Sequence, residues 1–153
     1  MTDINDTLPN VTVADSAGNA VNLAALKGPL VLYFYPKADT PGCTNEAKDF
    51  TALSADFAAL HCPVYGMSKD KPAKLAKFAA KYELNVTLLS DEASDATEQI
   101  GAWVEKSMYG KSYMGIDRST YLVGKDGKVA QVWRKVKVKD HAAQVLAAAK
   151  ALG

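Results

Sequence analysis

A chain of 153 residues, 48% apolar and 23% charged, is long enough to bury a core and has neither the composition of a disordered segment nor that of a fibre. Eighteen basic residues against seventeen acidic ones leave a formal charge of +1, which gives no electrostatic basis for binding nucleic acid or an anionic membrane. No stretch is apolar for the length a bilayer requires. Two cysteines behind an N-terminus, "MTDINDTLPNVTV", that reads as no export signal fit a reduced cytoplasm better than a disulfide scaffold. No repeat or linker interrupts the chain, so one domain over residues 1–153 is expected.

In chain order, "NVTVADSAGNAVNL" alternates around Asp15-Ser16-Ala17-Gly18-Asn19 and reads as a hairpin. "PLVLYFY", Pro29 to Tyr35, is the apolar run of a strand buried on both faces, and is expected to be central. Phe50, Leu53, Phe57 and Leu60 then recur at three- and four-residue steps and predict an amphipathic helix starting just after Thr40-Pro41-Gly42. "CPVYGMS" predicts a strand, and Asp70 with Pro72 predicts the N-cap and first turn of a helix carrying Leu75, Phe78, Ala79 and Tyr82. "NVTLLS" is a third strand and "SDATEQIGAW" holds a short helix; Trp103, Met108 and Tyr109 fall in a loop-like segment, as pocket wall or plain packing. "STYLVG" and "KVAQVWR" form a hairpin across Lys125-Asp126-Gly127, and "DHAAQVLAAAKAL" closes with a helix. Lys135, Lys137 and Lys139, alternating with Val136 and Val138, read as the solvent face of an edge strand, as does Arg134. The order β-α-β-α-β, hairpin, helix implies a mixed sheet flanked by helices, an α/β layout of the thioredoxin-like class.

Cys43 draws attention because of where it stands. With Thr40 as N-cap, Pro41 occupies the first helical position and Cys43 the third. Unpaired N–H groups and the positive end of the helix dipole favour a thiolate there. Gly42 removes bulk beside the sulfur and opens the backbone donors of Gly42 and Cys43. Most unpaired cysteines are buried and inert. A polar, partly exposed helix start gives such a residue little, so Cys43 is expected to be a nucleophile.

The string "FYPKADTPGCT", Phe34 to Thr44, resembles the active-site motif of the peroxiredoxins, Pro-x-x-x-Thr/Ser-x-x-Cys, filled by Pro36, Thr40 and Cys43. Its Thr-Pro-Gly-Cys-Thr form, with "GMSKDKPAKLAKFAAKYELNVTLLSDE", "GAWVEKSMYGKSYMGIDRSTYLV" and "KDGKV", is similar to the bacterioferritin comigratory protein subgroup, also called peroxiredoxin Q. The resemblance covers nearly the whole chain. It implies a thiol-dependent peroxidase for hydrogen peroxide and small organic hydroperoxides, in which Cys43 attacks a peroxide oxygen and becomes a sulfenic acid. It further implies that Thr40 bonds the peroxide, that Pro36 shields the pocket, and that the N–H groups of Gly42 and Cys43 stabilise developing charge. Arg118, in "GIDRSTYLV", matches the arginine that stabilises thiolate and transition state; arginine suits the role because it stays charged and offers several fixed donors. No metal, haem or flavin is implied. The implied partners are a peroxide and an external thiol reductant, whether thioredoxin, glutaredoxin or a low-molecular-weight thiol, and the expected state is a monomer or weak dimer.

Recycling departs from the common pattern. The position five residues after Cys43, where many members carry a resolving cysteine, is Lys48, and Lys74 to Tyr82 contains none. Only Cys62 remains. It reads as a buried small residue, giving 1-Cys chemistry, or as an atypical resolving cysteine after local unwinding. A thiol–disulfide oxidoreductase would show Cys-x-x-Cys, and Cys43 is followed by Thr44, Asn45 and Glu46. A cysteine hydrolase needs a histidine base, whereas His61 and His141 read as surface residues. A peroxide sensor or a binding module on the same fold, without turnover, is the alternative.

Overall fold

The computed structural model describes residues 1–152. Strands β1 (Thr12–Asp15) and β2 (Ala20–Asn22) form the expected first hairpin, its turn closed by Asp15 Oδ1 accepting from the N–H groups of Ala17 and Asn19. β3 (Leu30–Phe34) is buried at every position. Helix α1 (Pro41–Ala52) follows, and where the apolar spacing predicts one continuous helix, Leu53 leaves helical geometry and a second helix, α2 (Ser54–Ala59), begins. β4 (Val64–Ser68), α3 (Pro72–Tyr82), β5 (Thr87–Ser90) and the short α4 (Ala96–Ile100) complete the first half.

The segment expected to be loop-like is a two-stranded antiparallel ribbon, β6 (Trp103–Met108) and β7 (Lys111–Ile116), turned by Tyr109 and Gly110 at positive φ. Its mostly exposed residues carry no alternation for a sequence reading to detect. β8 (Ser119–Val123), β9 (Val129–Trp133) and α5 (His141–Ala151) end the fold. Lys135, Lys137 and Lys139 are exposed but lie beyond β9 in an irregular connection, where Lys135 turns the chain at φ 50°.

Seven strands form one mixed sheet in the order β2-β1-β5-β4-β3-β8-β9. β3 runs parallel to β4 and antiparallel to β8, with Phe34 opposite both Met67 and Ser119. Alternate β3 side chains serve two cores, because successive residues point to opposite faces. Val31, Tyr33 and Tyr35 pack with Phe50, Phe57, Phe78 and Val145 of the helices on one side; Leu30, Leu32 and Phe34 pack with Leu23, Ile100 and Tyr121 on the other. This is the expected α/β architecture of a thioredoxin-like fold.

Three residues differ from their expected places. Asp70 is not the N-cap of α3, which is Lys71; Asp70 Oδ2 accepts instead from Ala38 N–H at 2.7 Å and Ser68 Oγ at 2.8 Å. His141 is buried rather than on the surface, its Nε2 sharing a 2.8 Å hydrogen bond with Thr120 Oγ1 and its ring edge-on to Phe50 and Trp133. Arg134 is exposed, as expected, but lies just past β9 rather than on it, and donates to Thr2 O at 2.8 Å. His61 is exposed, as expected.

Candidate active site

β3 ends at Phe34, and the chain crosses Pro36 and Lys37 to reach α1. Thr40 has the extended backbone of an N-cap, and Pro41, Gly42 and Cys43 are the first three helical residues. The expected side-chain cap is missing. Thr40 Oγ1 donates to Lys37 O at 2.8 Å, so the hydroxyl braces the loop and keeps its lone pairs unused. The first helical bond runs from Thr44 N–H to Thr40 O, leaving the N–H groups of Gly42 and Cys43 without a helical acceptor.

Cys43 is only 1% exposed, so the partly exposed setting expected for it is corrected. One cation reaches its sulfur: Arg118 Nη2 donates to Cys43 Sγ at 3.3 Å. The sheet explains this meeting across 75 residues. Because β8 pairs antiparallel with β3 and opens opposite Phe34, the residue just before it arrives where β3 delivers the Cys43 loop. Gly42 permits the approach, since a Cβ there would lie 3.2 Å from Arg118 Nη2.

Sequence reasoning missed Glu46. It is 1% exposed on the buried stripe Cys43–Ala47–Phe50 and accepts from Arg118 Nη1 at 2.7 Å. A carboxylate inside an apolar stripe, one turn after the cysteine, was the available signal. Burial pushes its carboxyl up to about 7, against the opposing pull of Arg118. Burial alone would lower the Arg118 pKa, but Glu46 and Cys43 outweigh it and the guanidinium stays charged. Glu46 Oε2, Thr44 Oγ1, Tyr33 OH and Tyr35 OH are buried without a partner among the described residues, so this end of the molecule is unusually polar beneath its surface.

Pro36 is exposed on the loop between β3 and α1. Trp103 is half-buried against the second core, with Lys69 Nζ 5.3 Å from its ring centroid, whereas Met108 and Tyr109 are exposed at the ribbon tip. Cys62 is buried at the opposite end of the sheet from Cys43. It precedes β4, whose Val64 pairs with Val31 near the start of β3, while Cys43 follows the end of β3. Burial pushes the Cys62 thiol up to about 11. A cavity of about 430 Å³ is lined there by Cys62, Pro29 and Leu60.

A cysteine at a helix start, an arginine donating to its sulfur and a buried carboxylate behind the arginine can be set beside known proteins. The AhpC/TSA family profile matches residues 4–132. The chain belongs to that family. Among curated relatives, the peroxiredoxin Bcp of Bacillus subtilis is 43% identical over 94% of this chain and 92% of its own length. The peroxiredoxin Bcp of Escherichia coli is 44% identical over 89% and 88%. The bacterioferritin comigratory protein of Xanthomonas campestris superposes with a TM-score of 0.89 at 41% identity, over 97% of this chain and 98% of that one. This peroxiredoxin is accordingly a thiol-dependent peroxidase of the Bcp, or peroxiredoxin Q, type, a class that uses a peroxide and a thiol reductant. No helix among the described residues is long and apolar enough to cross a membrane.

Proposed function

We propose that this peroxiredoxin reduces hydrogen peroxide and small organic hydroperoxides at Cys43, through a sulfenic acid, and that an external thiol then restores it. The observation that carries the reading is the 3.3 Å hydrogen bond from Arg118 to Cys43 Sγ at a helix start whose N–H groups are unpaired. The reduction of alkyl peroxide by the Xanthomonas campestris protein supports the organic part.

In this reading the Cys43 thiolate attacks one peroxide oxygen, forming the S–O bond as the O–O bond breaks. The other oxygen leaves with the electron pair and takes a proton to become water or alcohol. Thr40 Oγ1, with its hydrogen committed to Lys37 O, accepts from the O–H of the peroxide. Arg118 and the N–H groups of Gly42 and Cys43 face the charge that grows along the breaking bond. Pro36, on the loop before α1, shields the pocket from bulk water. Glu46 is a positioning residue, holding Arg118 in the orientation that reaches sulfur.

The 1-Cys route is supported by the separation of the cysteines. Cys43 is the third of the 12 residues of α1, so the rest of that helix carries the chain about 14 Å along its axis before α2 and Cys62. A disulfide needs Cα atoms within about 7 Å. The test is peroxide consumption with excess thiol by wild type and Cys43→Ser: multiple turnovers in the first and none in the second are expected. Retained activity in the variant overturns the assignment, and a single turnover per wild-type chain would make the protein a sensor.

A further inference from the structure

Lys106 is a half-buried cation that the mechanism above does not use. It lies on β6 opposite Tyr113, yet its stem turns back along the ribbon. A Cβ at Gly115 would sit 3.3 Å from Lys106 Cδ and 3.6 Å from Cε, so the stem rests on the bare backbone of Gly115 beside the Tyr113 ring. Gly115 is two residues nearer the ribbon base than Tyr113, and Asp117 and Arg118 follow it two and three residues on, just past the end of β7. The ammonium is thereby aimed toward the Cys43 end. Burial holds its pKa below the usual lysine range, and the charges of Asp117, Arg118 and Cys43 all act on it. No carboxylate pairs with it among the described residues, and Asp117 Oδ2 accepts from Lys135 N–H at 3.3 Å. A cation that loses hydration without a carboxylate in salt-bridge contact suits a site for a transient one.

Resting on the peroxidase reading above, we propose that Lys106 receives the carboxylate of a small anionic thiol, which acts as the direct reductant of oxidised Cys43. Cys43 is too enclosed for a folded partner to touch without movement, Lys48 occupies the position of a nearby resolving cysteine, and Cys62 lies at the far end of the sheet. The reductant must therefore be narrow. In the first step the thiol sulfur bonds Cys43 Sγ, the S–OH bond breaks, and the hydroxide leaves as water with the thiol proton. A second thiol displaces Cys43 from the mixed disulfide, releasing the reductant as its own disulfide and returning the Cys43 thiol.

The experiment oxidises wild type, Lys106→Met and Lys106→Arg with one equivalent of hydrogen peroxide. It then follows reduction by 3-mercaptopropionate and by cysteamine, thiols of similar size and opposite charge. The ratio of the two rates cancels intrinsic thiol reactivity when compared between proteins. It should fall about tenfold in Lys106→Met, return in Lys106→Arg, and shrink in wild type at high salt. An unchanged ratio overturns the proposal while leaving the peroxidase reading intact. If instead only the oxidation step discriminates, with Lys106→Met slowing a carboxylated hydroperoxide relative to tert-butyl hydroperoxide, Lys106 selects the peroxide and the thiol assignment fails. Failure of Cys43 to be oxidised by any peroxide removes both readings. Circular dichroism of each variant confirms that the ratios compare folded proteins.

Discussion

Gly42 and Arg118 meet so closely that one methyl group should alter the chemistry. A Cβ at Gly42 would stand 3.2 Å from Nη2, the nitrogen that donates to Cys43 Sγ, so Gly42→Ala must displace the guanidinium by a few tenths of an ångström. We expect kcat/KM for hydrogen peroxide to fall on the order of tenfold, while the melting temperature stays close to wild type. Unchanged kinetics would remove Arg118 from the proposed site. Glu46 and His141 set opposing pH dependences of stability. Between about 4.5 and 7 the folded protein keeps a proton on Glu46 that the unfolded chain has released, so this term falls as pH rises through that window. His141, held down to about 4 by burial, is neutral where the unfolded chain is protonated, so its term rises with pH between about 4 and 6.5. Glu46→Gln should remove the first slope and leave the second. In urea unfolding across pH 4–8, the variant should gain on wild type as pH rises, and a constant difference would contradict the shifted carboxyl. Cys43 was legible in the sequence because its turn chemistry is local. Glu46 left one signal, a carboxylate within an apolar stripe, and His141 left none; the packing of α1 and α5 against the sheet is what makes both internal.

Helix α3 fastens the Cys43 loop. Lys81 Nζ donates to Asp39 Oδ2 at 2.9 Å and Tyr82 OH to Asp39 Oδ1 at 2.5 Å, while Lys48 of α1 stands 5.2 Å from the centroid of the Tyr82 ring. Asp39 adopts φ 63°, so the clasp holds a backbone that a non-glycine residue seldom takes. Asp70 holds the same loop from the β4 side through Ala38 N–H. Tyr82→Phe should speed amide exchange at Ala38, Asp39, Thr40 and Gly42 without changing exchange in α5. Equal exchange in both proteins would show that the loop does not depend on the clasp. The sequence pattern anticipated each strand of the main sheet, because the buried central strands leave apolar runs and the two hairpins leave short strands around turn residues. It lost the β6–β7 ribbon, where only the Tyr109-Gly110 turn signalled a hairpin, and it did not detect the break at Leu53, which keeps the apolar spacing intact.

At the scale of the molecule, the sheet keeps the two cysteines apart. Intact-mass analysis after one equivalent of peroxide should give a single-oxygen adduct in both wild type and Cys62→Ser, with turnover retained in the variant. A two-hydrogen loss confined to wild type would instead establish a Cys43–Cys62 bridge and require α1 to unwind. By itself the sequence determined the order of the main-sheet elements, the helix start that carries Cys43, and the family, because these depend on short-range periodicity, turn residues and contiguous motifs. The motif resemblance pointed to Arg118, but only the tertiary structure decided how these distant groups come to surround the sulfur. Arg118 reaches it through the antiparallel pairing of β8 with β3, Glu46 is turned inward behind the arginine, and Cys62 is held at the other end. Those outcomes depend on strand register and helix packing between residues far apart in the chain, which local pattern does not encode.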